Sequence, residues 1–229
     1  MKLSILIPCF NEINTIEKVL DNISKNYLHQ KEIIIIDDGS TDGTKEFLKK
    51  KIDPEIKIIF HDKNYGKGYA LKSGLKEATG EVILIQDADL EYDPKDYYNL
   101  LLPFVETDAD IVYGSRFLGY KYNRLHYFSH FIANKILTFF CNVFTNLNMT
   151  DMETGFKVFK KNVIQSIEIQ EKSFGVEPEI TVKLAKKGFK FFEVPVSYNG
   201  RSYSEGKKIT AKDGLIALIC IIRYKFFND

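Results

Sequence analysis

The chain has 229 residues, with 32 Lys and Arg against 31 Asp and Glu, so its formal net charge is +1. Apolar residues make up 45% and charged residues 28%, a globular balance that excludes disordered, collagen-like and low-complexity architectures. Near-neutral charge argues against a nucleic-acid binder, which carries a clearly basic face. A chain of this length buries about 70% of its unfolded surface, so a packed core alone suffices to hold it together.

Short apolar runs alternate with segments of helical period. The runs predict strands at Leu3–Ile7, Glu32–Ile36, Ile56–Phe60, Val82–Gln86 and Asp110–Tyr113. Between them the periodicity predicts helices at Ile13–Ser24, Thr44–Lys51, Lys67–Ala78 and Pro94–Val105. Runs such as Ile33–Ile36 and Val82–Ile85 are apolar at successive positions, as parallel strands covered on both faces must be. The repeated order implies right-handed crossovers and an α/β fold with a mostly parallel sheet. After Gly114 the alternation breaks. A long apolar helix is expected over Tyr127–Asn146, a short β element near Phe156–Phe159, a helix over Pro178–Lys187, a strand over Phe189–Val196 and a last helix from Ala211 or Asp213.

Three cysteines, Cys9, Cys141 and Cys220, are odd in number and lack metal-ligand spacing, which argues against a disulfide framework or a zinc site. Met1-Lys2 leads straight into a strand-like run, so no export signal is expected and a cytoplasmic location follows. Leu215–Ile222 is far shorter than the ~20 apolar residues a membrane span needs. Only four residues are Arg: Arg116, Arg124, Arg201 and Arg223. In so Lys-rich a chain these mark positions where the bidentate fork is wanted. From Lys183 onward ten basic residues face four acidic ones, either a solvated basic face or a surface for phosphates and anionic headgroups.

In a doubly wound sheet, ligands sit at the carboxyl ends of the strands, and the polar clusters fall there. Leu3–Ile7 ends in Pro8-Cys9-Phe10-Asn11-Glu12, Glu32–Ile36 in Asp37-Asp38-Gly39-Ser40-Thr41-Asp42-Gly43, and Val82–Gln86 in Asp87-Ala88-Asp89-Leu90-Glu91. Two carboxylates one residue apart at the end of a buried strand repel each other, and a divalent cation with its phosphates relieves that repulsion. Plain structural duties fit the same residues: Asp93-Pro94 caps a helix, and Ser40-Thr41-Asp42 supplies a turn and cap.

Taken together, Pro8…Asn11-Glu12, Asp37–Thr44, Asn64-Tyr65-Gly66-Lys67-Gly68, Asp87-Ala88-Asp89 and Gly114-Ser115-Arg116 resemble the GT-A, family-2 glycosyltransferases. More narrowly, the chain is similar to the dolichyl- or polyprenyl-phosphate hexose transferases. Thr150–Lys157 and Gly200–Lys208 extend that resemblance over essentially the whole length. It implies a single GT-A domain over 1–229, with a nucleotide-sugar-binding half over 1–115 and an acceptor-binding half over 116–229.

The resemblance also implies roles. Pro8, Asn11 and Glu12 line the base pocket, Asp38 contacts base or ribose, and Gly39 lets the backbone approach the nucleotide. Lys67, between Gly66 and Gly68, lies near the nucleotide. Asp87 sits by the ribose and the metal with Ala88 beside it, and Asp89 is the main ligand of a Mg²⁺ or Mn²⁺ ion. Glu91 stands where relatives often have Gln and offers a further anion to the metal. Arg201 and Lys207 close over the donor diphosphate. On the acceptor side, Arg116 binds a lipid phosphate. Ser129 and His130 are placed at the same phosphate, with His130 standing where relatives carry Arg or Lys and Arg124 compensating for the missing charge.

The expected reaction is metal-dependent and inverting, from a nucleotide sugar of the GDP-mannose or UDP-glucose type to a polyprenyl phosphate at the cytoplasmic face of a membrane. The alternative is a glycan hydroxyl in cell-envelope polysaccharide synthesis. A hydroxyl acceptor needs a general base, for which Asp151 is the first candidate and Glu179 the second. Tyr127–Asn146 and the stretch from Leu215 through Phe227 fit either helical core or an interfacial surface that holds a prenyl chain.

Overall fold

A computed structural model describes residues 1–26, 29–119, 124, 127–202 and 211–227. Seven strands form one sheet: β1 (Leu3–Cys9), β2 (Lys31–Asp37), β3 (Ile56–Phe60), β4 (Val82–Ile85), β5 (Ile111–Ser115), β6 (Lys157–Lys160) and β7 (Phe191–Pro195), in the order β3-β2-β1-β4-β6-β5-β7. All neighbours run parallel except β6, which pairs antiparallel with β4 and β5. The register Leu3↔Lys31 to Cys9↔Asp37, with Leu3↔Val82 on the other side, brings the ends of β1, β2 and β4 to one edge.

The expected strands and helices form, with shifted ends. Among the described residues eight α-helices accompany the sheet: α1 (Ile16–Asn26), α2 (Thr44–Lys49), α3 (Lys67–Glu77), α4 (Tyr97–Glu106), α5 (Phe128–Thr145), α6 (Lys161–Ile164), α7 (Val176–Lys186) and α8 (Ala211–Phe226). The start of α1 moves from the expected Ile13 to Ile16 because Asn11 is left-handed, at φ 55°, and the chain must turn before it can wind. Short α6 carries no apolar period to read. Helix α7 starts at Val176 rather than Pro178, because a proline is tolerated in a first turn, where its missing N–H has no partner to lose. One core layer packs α3, α5, α7 and α8 on the sheet, and the other packs α1 and α4. The three cysteines are buried and none is in a disulfide.

Both faces of β4 are buried, so its chain has no polar outlet before Asp87. Asp93 caps the short turn that precedes α4, accepting from the amide of Lys95 at 3.0 Å. Behind the turn, the buried Asp96 carboxylate accepts from Ser197 Oγ and N, at 2.6 and 2.8 Å, which fixes the segment after β7 beside the end of β4.

Candidate functional site

The first group of side chains gathers at the ends of β1 and β4. Leu90 adopts φ 63°, a conformation costly for a branched residue, and the tight turn it makes returns Asp87, Asp89 and Glu91 to the same edge. Arg201 sits among them. Its Nη2 lies 2.8 Å from Asp89 Oδ2, its Nη1 3.3 Å from Glu12 Oε2, and its Nε 3.5 Å from Glu91 Oε1. Glu91 also accepts from the Arg201 amide at 2.8 Å and from the Tyr198 hydroxyl, so it holds the segment that carries Arg201.

The donor atoms here are carboxylate oxygens, the ligands hard divalent cations select. Burial, then the charges of Asp87 and Glu91, push the Asp89 carboxyl up to about 7 against the pull of Arg201. Negative charge therefore exceeds what one guanidinium balances. These residues fit a Mg²⁺ or Mn²⁺ ion that takes one or two protein carboxylates and completes its shell with phosphate and water. Among the described residues no group of three or more acidic, His or Cys side chains is arranged to hold a metal ion.

Several expected nucleotide contacts have partners within the protein. Lys67 Nζ bridges Asp87 Oδ1 at 2.8 Å and Glu177 Oε1 at 2.9 Å. Burial alone would lower its pKa, but these two carboxylates raise it. Asp38 is buried and accepts from the amides of Tyr65 and Gly66, the latter at 2.7 Å, and it pairs with His61 Nδ1 at 2.6 Å. It therefore ties the loop after β3 to the end of β2. Asn11 accepts from the Thr41 amide at 2.8 Å, joining two loops. Pro8 is half-buried near the end of β1, and Ala88 is buried in the core.

The glycines, too, have a cause other than the nucleotide. A Cβ on Gly39 would stand 2.5 Å from Lys63 C, one on Gly66 2.3 Å from Lys172 O, and one on Gly68 2.1 Å from Glu171 O. Each makes room for passing backbone. Gly155 has a functional neighbour instead: its absent Cβ would lie 2.3 Å from Asp87 Oδ2.

The second group lies at the end of β5. Arg116 donates from Nε to Asp151 Oδ2 and from Nη2 to Oδ1, both at 2.7 Å, and its amide donates to Oδ2 at 3.0 Å. Asn134 of α5 donates to the same carboxylate at 2.9 Å. Asp151 is 0% exposed. Burial, the largest single influence, raises its pKa, but the Arg116 charge together with the hydrogen bonds from Arg116 and Asn134 outweighs it, and the net shift is downward. With both carboxylate oxygens engaged by Arg116 and Asn134, Asp151 is placed to orient the Arg116 guanidinium. Glu179 is equally enclosed, paired with Lys183 at 2.7 Å and accepting from the amides of Gln170 and Glu171.

Tyr198 links the two groups, its hydroxyl on Glu91 and its ring 5.0 Å from the Arg116 guanidinium. Arg124 is exposed and its amide donates to Tyr198 O at 3.3 Å. Ser129 and His130 form the first turn of α5, with the His130 ring 5.6 Å from that of Tyr127. Lys207 lies outside the described residues.

Behind both groups is a set the motifs did not single out for charge: Glu153, Lys157 and Glu177. Buried Lys157 donates to Met152 O at 2.9 Å and to Thr154 O, and burial lowers its pKa to about 8. Burial and the neighbouring Glu177 raise the Glu153 carboxyl to about 7. Glu153 and Lys157, four residues apart, were visible in the quoted Thr150–Lys157 segment, but one-dimensional spacing does not tell a buried charge from a solvated one.

The family model for glycosyl transferase family 2 matches residues 4–168. The dolichol-phosphate mannosyltransferase of Pyrococcus furiosus is 29% identical over 215 residues, covering 90% of this chain and 59% of the relative. The dodecaprenyl-phosphate galacturonate synthase of Rhizobium johnstonii is 22% identical, covering 98% of this chain and 68% of the relative. Among solved structures, glucosyl-3-phosphoglycerate synthase of Mycobacterium tuberculosis, in complex with Mn²⁺, UDP and phosphoglyceric acid, superposes with a TM-score of 0.73 at 18% identity, covering 100% of this chain and 80% of that one. This last likeness is one of fold.

Proposed function

Because the chain belongs to glycosyl transferase family 2, we propose that it moves a hexose from a nucleoside diphosphate sugar to the phosphate of a polyprenyl lipid, inverting the anomeric carbon. It acts as one domain, with residues 1–115 holding the donor and 116–229 the acceptor. The observation that carries this reading is a juxtaposition: the Asp89–Arg201 group and the Arg116–Asp151 group stand on either side of Tyr198. The names of the Pyrococcus and Rhizobium relatives support the lipid phosphate.

An acceptor phosphate oxygen attacks the anomeric carbon as the bond from that carbon to the nucleoside diphosphate breaks. The nucleophile is already anionic, so no side chain has to remove a proton, which agrees with the enclosure of Asp151. A Mg²⁺ or Mn²⁺ ion, held by Asp89 with Glu91 and Asp87 beside it, would neutralise charge on the departing diphosphate. Arg201 is placed to turn from these carboxylates to the same diphosphate, and Lys67 keeps Asp87 oriented. Arg116, set by Asp151, faces the incoming phosphate.

The acceptor side adjoins an exposed apolar surface. Phe128, Ile136, Phe139 and Val143 of α5 and Leu215, Ile219 and Phe226 of α8 are exposed, and the rings of Phe144 and Phe226 meet at 5.7 Å to join the two helices. Among the described residues no helix is long and apolar enough to cross a membrane. We place this surface in the headgroup layer at the cytoplasmic face of a membrane. Labelled GDP-mannose and UDP-glucose, with Mg²⁺ or Mn²⁺ and with or without a short polyprenyl phosphate, test the reading. Metal-dependent, lipid-dependent transfer is expected. Transfer only to a glycan hydroxyl would overturn it.

A further inference from the structure

Helix α5 carries one fully charged side chain, Lys135. It stands among the exposed apolar residues Phe131, Ile132, Ile136 and Phe139. Its Nζ is 4.4 Å from the Phe117 ring centroid and 5.6 Å from that of Phe131. The Arg116 guanidinium is 5.6 Å from the same Phe117 ring, so the two cations share one aromatic neighbour. One ammonium proton goes to Thr150 O at 3.2 Å, the residue before Asp151, and an ammonium has three donors.

Arg116 supplies less net charge than its type suggests, because the buried Asp151 carboxylate takes two of its N–H groups. Lys135 has no carboxylate partner among the described ion pairs. We propose that Lys135 binds the acceptor phosphate together with Arg116, taking the place of the basic residue that His130 replaces, while the apolar face around it receives the first isoprene units. The proposal deepens the lipid-phosphate reading and rests on it. The charge serves as a headgroup anchor inside a greasy surface, the arrangement that separates a lipid phosphate from a free one.

The test compares the wild type with Lys135→Met and Lys135→Arg. Lys135→Met keeps an unbranched side chain of similar reach and removes the charge. Binding of a short polyprenyl phosphate and of inorganic phosphate is followed by phosphorus NMR, and donor hydrolysis without acceptor is measured alongside. Losing one charge-assisted phosphate contact is expected to weaken lipid-phosphate binding about 10- to 100-fold in Lys135→Met. Lys135→Arg should restore it, donor hydrolysis should not move, and inorganic phosphate should bind weakly throughout. If the wild type binds the lipid phosphate and Lys135→Met binds it equally well, the assignment of Lys135 is overturned and the acceptor reading stands. If inorganic phosphate binds as tightly as the lipid, the site is a free-phosphate site and the proposal fails. If the wild type binds no polyprenyl phosphate, the acceptor reading itself falls.

Discussion

Asp151→Asn separates an orienting carboxylate from a catalytic base. The substitution keeps the shape and removes the charge that Arg116 meets through Nε, Nη2 and its amide, at 2.7, 2.7 and 3.0 Å. Breaking a buried ion pair from one side costs about 3–5 kcal/mol. The Arg116 side chain is 14% exposed, so water reaches part of the orphaned cation, and about 2–4 kcal/mol is expected here. For a chain of this size each kcal/mol moves Tm by about 2–4 °C, giving a fall of roughly 5–15 °C by circular dichroism. The KM for polyprenyl phosphate should rise, with donor hydrolysis retained. Replacing both partners with apolar residues, Arg116→Met with Asp151→Leu, should recover much of the stability but not acceptor binding. An Asp151→Asn protein with an unchanged Tm, a normal acceptor KM and no turnover would refute this reasoning and return Asp151 to the role of base.

Other expectations follow from single contacts. Asp89→Asn should abolish nucleotide-dependent Mn²⁺ binding, read by calorimetry with UDP or GDP, because the remaining carboxylates are committed to Lys67, Tyr198 and Arg201; retained binding would remove Asp89 from the metal site. Gly155→Ala places a methyl 2.3 Å from Asp87 Oδ2, so donor affinity should drop at least tenfold with the fold intact by circular dichroism, and unchanged affinity would show that Asp87 is free to move. Glu32 accepts from Ser4 and from the amides of Thr79 and Gly80, and against the cost of burial these bonds hold its pKa at about 2. A depressed carboxyl contributes stability above its unfolded value, near 4.5, and loses it as pH falls toward 2. The full shift is worth about 3 kcal/mol, but Glu32 is only partly shielded from water, so Glu32→Gln should cost about 1–2 kcal/mol at pH 7 and flatten denaturant-derived stability between pH 5 and 2; an unaltered slope would count against the network. Paired charges on the apolar surface, Val143→Glu with Ile219→Glu, should lower sedimentation with anionic vesicles severalfold and leave transfer to a water-soluble acceptor analogue unchanged.

The alternation of fully apolar runs with helical periods determined most of the fold, because a parallel strand covered on both faces admits little else. It also placed Asp87, Asp89, Arg116 and Arg201 as residues of interest, since strand ends and scarce arginines are visible in one dimension. The tertiary structure decided which partner each of them has. Gly66 and Gly68 read as nucleotide glycines until the backbone at Glu171 and Lys172 is seen to pass over them. Lys67 reads only as a residue near the nucleotide, and the tertiary structure adds Glu177, 110 positions away by its number, on its other side. Lys135 and Phe117 lie on separate elements, and only the packing of α5 beside the end of β5 puts the ammonium over that ring. A charge's role depends on what burial removes and what faces it, and both are set by contacts between residues distant in the chain.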